Sequence, residues 1–136
     1  MPRGYEELNR AQSVATGPHG RLLRLVSRIA MLTIEVPAAM RAGDWPEQRR
    51  LRGDLDEALA RLVDLRGAAP PAALAGLDRL AAAGDSVVRA IVATPRGSRE
   101  ALADARRSSG VAVGAVEDLS LLLDVDTEDG GDHSLP

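Results

Sequence analysis

His19 and His133 are the only two histidines in this 136-residue sequence, and so its only side chains whose ordinary pKa lies close to neutral. His19 sits in Pro18-His19-Gly20-Arg21, a breaker-rich stretch ahead of the longest apolar run. A phosphoaccepting imidazole needs a rigid mid-helix position and a polar neighbour to hold its tautomer, so His19 reads as a solvated loop residue. His133 falls in an acidic, glycine-containing terminal stretch and reads the same way. Two histidines this far apart make a poor metal site, and no Glu-x-x-His pair exists to build a carboxylate-bridged one. The sequence has no Cys and no Lys, which removes a thiol nucleophile, a Schiff-base amine, a disulfide and any cysteine-ligated zinc or iron-sulfur centre. Glu35 is the one acid inside the apolar run, and by helical angle it shares a strip with Arg28, which makes it an exposed or paired carboxylate rather than a general base. No catalytic, metal-binding or cofactor-binding residue is assigned, no cofactor is implied, and the chain reads as a non-enzyme.

Arginine chemistry remains. The chain carries 17 Arg and 20 acids, a formal charge of -3, with a mildly basic half through Gly53 and an acidic half beyond it. Arg49, Arg50 and Arg52, joined by Arg41, form the densest basic cluster, and arginine forks can grip a phosphate bidentately. These four are the candidate anion-binding residues, for a small molecule or nucleotide. Asp54, Asp56 and Glu57 follow at once, the pI is ≈ 5.4 and aromatic side chains are almost absent, all of which argue against a nucleic-acid partner.

Leu51-Arg52-Gly53-Asp54-Leu55-Asp56, running on to Arg61 and Arg66, resembles the opening helix of the all-helical chorismate mutases over about one helix. That resemblance implies a small helical enzyme holding a dicarboxylate with several Arg and a Lys. This chain departs from the pattern: it has no Lys, and Leu59 stands where a further acid is expected.

The elements that must position these groups follow from composition and period. With 23 Ala and 19 Leu against one Trp, one Tyr and no Phe, the apolar content suits helices and not a sheet, which leans on aromatic and β-branched side chains. Gly and Pro divide the chain into segments whose apolar residues recur at the helical period. Residues 1–20 form an N-terminal arm with a short helix from Tyr5 to Ala15. Arg21 to Ala42 follows, with Leu22, Leu25, Val26, Ile29, Leu32, Thr33, Val36 and Met40 on one stripe. Pro37 predicts a kink or a stop near Glu35, because an interior proline costs about 3 kcal/mol. Asp44-Trp45-Pro46-Glu47 marks the next start, with Asp44 as N-cap and Pro46 in the first turn. Leu51, Leu55, Ala58, Leu62 and Leu65 then form a narrow seam, flanked by Arg50–Asp54, Arg52–Asp56 and Glu57–Arg61 at i,i+4. Two further helices run from about Pro71 to Thr94 and from an N-cap at Ser98 to Asp124.

The expected fold is all-α: an antiparallel four-helix bundle over residues 21–124, preceded by the arm and its short N-terminal helix and followed by a disordered acidic C-terminal tail over 125–136. The Arg21–Ala42 helix is apolar around most of its circumference and so must be covered on more than one side. Leu23, Ala30, Met31 and Ile34 on its second flank are the candidate partner-binding residues. The functional reading is a bacterial, cytoplasmic interaction or regulatory protein acting by helix-face association, as a homodimer or with a protein partner, and without a membrane span. The alternatives are a small-molecule or nucleotide-binding module using the Arg41 to Arg52 region and a small all-helical enzyme.

Overall fold

The computed structural model describes residues 19–93 and 99–132, with side chains described through 92 in the first span and through 123 in the second. Four helices pack together, and no strand occurs among the described residues: α1 (Gly20–Ala42), α2 (Trp45–Arg66), α3 (Leu74–Ala93, entered through a 3-10 turn at Pro71–Ala73) and α4 (Arg99–Asp132). The short helix expected between Tyr5 and Ala15 and the cap expected at Ser98 lie outside the described residues. The bundle was expected to end at Asp124; the backbone of α4 continues to Asp132, no proline interrupting it. The side chains of the expected acidic tail lie outside the described residues.

Successive helices run in opposite directions. The start of α1 and the end of α2 face each other across one groove, with Arg21 and Arg24 beside Asp64 and Leu65. Later residues of α2 pair with earlier ones of α3, as in Gly84 against Leu59 and Arg66 against Asp78. The same reversal joins α3 to α4 through Gly76 against Leu119 and Arg79 against Asp118.

α1 and α3 each pack against all three other helices, whereas α2 and α4 have no backbone approach to each other. This explains the two-sided apolarity of α1 without a second chain: Leu22, Leu25, Val26, Ile29, Leu32, Val36 and Met40 are buried on the main stripe, and Leu23 and Ala30 on the flank. α1 also runs straight through the position where Pro37 predicted a stop. Val36, Ala39 and Met40 are all buried beyond Glu35, and burying side chains of this size contributes roughly 1–3 kcal/mol each, enough to offset the proline.

The α1–α2 corner is fixed by local hydrogen bonds. Gly43 takes φ +66°, a left-handed conformation that costs little without a Cβ, and ends α1. The Gly43 amide donates to Met40 O and the Asp44 amide to Ala39 O, at 3.1 Å and 3.0 Å, the paired bonds of a Schellman motif. Asp44 then caps α2 as its spacing predicts, its Oδ1 accepting from the Glu47 amide at 3.1 Å. Buried Gln48 donates back to Ala39 O at 3.3 Å, so the sequence Gly43 to Gln48 locks the angle between the two helices.

Candidate functional site

The expected partner-binding residues separate. Leu23 at 2% and Ala30 at 0% exposure are enclosed by the neighbouring helices, so they cannot form an outward face; the sequence pattern registered their apolarity, which α3 and α4 already satisfy. Met31 and Ile34 are partly buried at the edge of the core.

The expected anion cluster is also divided. Arg50 is held by acids on its own helix, its Nε donating to Glu47 Oε1 at 2.7 Å and its Nη1 to Asp54 Oδ2 at 3.0 Å. That contact keeps the Glu47 carboxyl below its ordinary value, chiefly through the hydrogen bond. Arg52 lies 4.0 Å from Asp56, and Arg41 and Arg49 are exposed. Arg52 to Arg61, the run that resembles an enzyme's opening helix, likewise splits, with Arg52 on the outer face and Arg61 turned to a groove against α1. Among the described residues no three His, Asp or Glu side chains converge as a metal-binding group.

Two other surfaces carry more. The first is that groove, ≈ 530 Å³, lined by Arg21, Arg24, Leu25 and Arg28 of α1 and by Arg61, Asp64 and Leu65 of α2. The i,i+3 and i,i+4 spacing of 21, 24, 25 and 28 puts them on one face, and the antiparallel pairing brings Arg61 opposite. Glu57 and Arg61 have the spacing of an ion pair, but no such pair forms. Sequence reasoning set Arg28 on a strip with Glu35 and missed the groove, because the facing residues are some 40 positions away in the chain.

The second surface is the outer side of α4. Of its apolar stripe, Ala105, Ser109, Ala112, Val113, Val116, Leu119 and Leu123 are buried and Leu102 is partly buried. The opposite side carries Arg106, Arg107, Gly110, Val111, Glu117, Asp118, Leu121 and Leu122, all exposed, with Val111 at 46%, Leu121 at 68% and Leu122 at 40%. A Cβ built on Gly110 or Gly114 would meet nothing within 4 Å. Arg107 Nη1 donates to Asp104 Oδ1 at 3.0 Å, and Arg79 Nη2 of α3 donates to Asp118 Oδ2 at 2.7 Å.

No helix among the described residues is long and apolar enough to cross a membrane. Comparison with known proteins adds no identity, since no family model, no curated protein and no solved structure matches the chain.

Proposed function

We propose that the protein is a non-enzymatic, cytoplasmic interaction protein that works by helix-face association, and that its first partner is a second copy of itself, met antiparallel along the outer side of α4. One observation carries this reading. Along that exposed side the residues run basic, small and acidic: Arg106 and Arg107, then Gly110, Val111 and Gly114, then Glu117 and Asp118. A two-fold axis between positions 112 and 113 sets Arg107 of each copy against Asp118 of the other. The same operation lays Val111 over the bare backbone of Gly114, where nothing else of the chain approaches. Every contact occurs twice, as a closed two-fold interface requires. A parallel arrangement would instead stack like charges, which is repulsive.

Exposed apolar groups support the same surface. Leu121 and Leu122 would meet Ala103 and Asp104 at each end, removing from water side chains that the bundle leaves open. A single helix pair buries little area compared with an obligate dimer, so the expected association is reversible, with a Kd on the order of 10 µM.

Light scattering across a concentration series tests the reading, with mass rising toward twice that of the monomer. Arg106→Glu with Arg107→Glu, and separately Asp118→Arg, should each remain monomeric, and an equimolar mixture of the two variants should recover a heterodimer. A wild-type chain that stays monomeric at the highest concentration overturns the self-association reading, as does a dimer indifferent to both charge reversals.

A further inference from the structure

We infer that the groove between α1 and α2 is a binding site for an organic phosphate, a small molecule carrying at least two negative charges on an apolar body. This inference does not rest on self-association through α4, which uses none of the same residues.

The charge of the groove runs against that of the whole molecule. The chain has a net formal charge of -3, yet among the described residues four guanidinium groups, from Arg21, Arg24, Arg28 and Arg61, share this groove with one carboxylate, Asp64. Of the arginines elsewhere, five are matched to acids, Arg50 to Glu47 and Asp54, Arg52 to Asp56, Arg66 to Asp78, Arg79 to Asp118 and Arg107 to Asp104, while Arg41, Arg49, Arg89, Arg99 and Arg106 have no such pair among the described residues, so convergence of charge is what sets the groove apart. Arg21, Arg28 and Arg61 have no ion-pair partner among the described residues. Such a concentration of like charge raises the local concentration of anions, and several planar forks facing one space suit the oxygens of a phosphate.

Size and floor narrow the ligand class. The ≈ 530 Å³ volume falls within the range of small-molecule sites, and Leu25 and Leu65 give the groove an apolar floor on which a ring or short aliphatic body can lie. Next to it, toward the middle of the helices, lies a second, smaller pocket of ≈ 50 Å³, where Asp54 and Glu57 join Arg28 and Arg61 in the lining. Those two carboxylates repel an anion that would extend further. The site therefore takes a compact anion at the Arg21 end and disfavours a long acidic chain lying along the whole seam. Asp64, at that end, is placed to accept a hydrogen bond from a hydroxyl or amine on the ligand body.

Isothermal titration of the full chain with ADP and with inorganic pyrophosphate tests the site. ADP carries a diphosphate on an apolar ring system, whereas pyrophosphate supplies charge alone. The expected result is saturable binding of both, ADP the tighter by about tenfold, each weakening as salt rises. Arg28→Ala with Arg61→Ala should lower ADP affinity by about tenfold or more, since it removes two charge-assisted contacts. Arg41→Ala with Arg49→Ala should leave it unchanged. Arg28 and Arg61 are exposed, and an unaltered helical circular-dichroism spectrum separates lost binding from lost fold. Absence of binding by either probe at millimolar concentration, or binding that the Arg28/Arg61 change leaves intact, overturns the proposal. Equal affinity for ADP and pyrophosphate overturns its apolar half. The Arg106→Glu, Arg107→Glu chain, expected to be monomeric, should bind ADP as the wild type does; its failure to do so would overturn the independence of the two surfaces.

Discussion

A Cβ on Gly76 of α3 would lie 2.9 Å from Leu119 Cδ2 and 3.0 Å from Leu119 Cγ on α4, so the two helices meet there with no room for a methyl group. Leu119 is fully buried and cannot swing its side chain into solvent. Gly76→Ala gains up to about 1 kcal/mol of helix propensity, but overpacking a filled site costs roughly 1–3 kcal/mol. The substitution is expected to destabilise the fold by about 1 kcal/mol, read from the urea midpoint. A midpoint at or above wild type would mean that the α3–α4 seam is looser than this contact implies.

Gly53 of α2 gives the opposite sign. A Cβ there meets nothing within 4 Å and the residue is exposed, so no close approach requires the glycine. Gly53→Ala should therefore stabilise by about 0.5–1 kcal/mol through helix propensity alone. Gly84 lies between the two: its Cβ would come within 3.0 Å of Leu59 Cδ2, but Leu59 is only partly buried and can give way. Urea midpoints should rank Gly53→Ala above Gly84→Ala above Gly76→Ala, and any other order counts against the packing described for these three positions.

Ser27 and Gln48 are both buried and polar, and they should respond oppositely to alanine. The Ser27 hydroxyl on α1 has no hydrogen-bond partner among the described residues, so removing it relieves an unmet desolvation cost of about 1 kcal/mol, and Ser27→Ala should raise stability. Gln48 donates to Ala39 O at the α1–α2 corner, and Gln48→Ala should lower stability by roughly 1–2 kcal/mol. Denaturant titration of both variants checks the pair. A destabilised Ser27→Ala would point to a hydroxyl that is hydrogen-bonded in solution.

The helices were legible because each core position announces itself locally. Leu51, Leu55, Ala58 and Leu62 recur at the helical period and are the buried stripe of α2, and Asp44 lies three residues before the amide it caps. What decides the surfaces is not local. The apolar flank of Leu23 and Ala30 looks the same in sequence whether another chain or another helix of the same chain covers it, and only the packing of α1 against three other helices decides the matter. The Arg41–Arg52 cluster is dense along the chain, yet adjacent acids neutralise part of it. Arg61 stands well removed from Arg21 and Arg28 in sequence and is brought to them by the antiparallel turn at Gly43. Density along the chain carries no information on charge matching, which depends on which helix faces which.

Arg66 and Asp78 tie the end of α2 to the start of α3, with Nε donating to Oδ1 at 2.9 Å and Nη2 to Oδ2 at 3.1 Å. The guanidinium holds the Asp78 carboxyl below its ordinary value, chiefly through that hydrogen bond, with the opposite charge adding to it and partial desolvation opposing it. A carboxylate whose pKa is lower in the folded state stabilises the fold above its unfolded value of about 3.9, and that stabilisation disappears as pH falls through the lower folded value. Arg66 is raised from an already high value and stays charged throughout, so the pH dependence belongs to Asp78. Because the pair is open to solvent, salt screens it as well. Wild type and Asp78→Asn should therefore differ slightly in thermal midpoint at neutral pH and low salt, and should converge as pH falls through the lowered pKa of Asp78 and in about 1 M salt. A gap that persists under either condition would assign the contribution of Asp78 to packing at the corner and not to its charge.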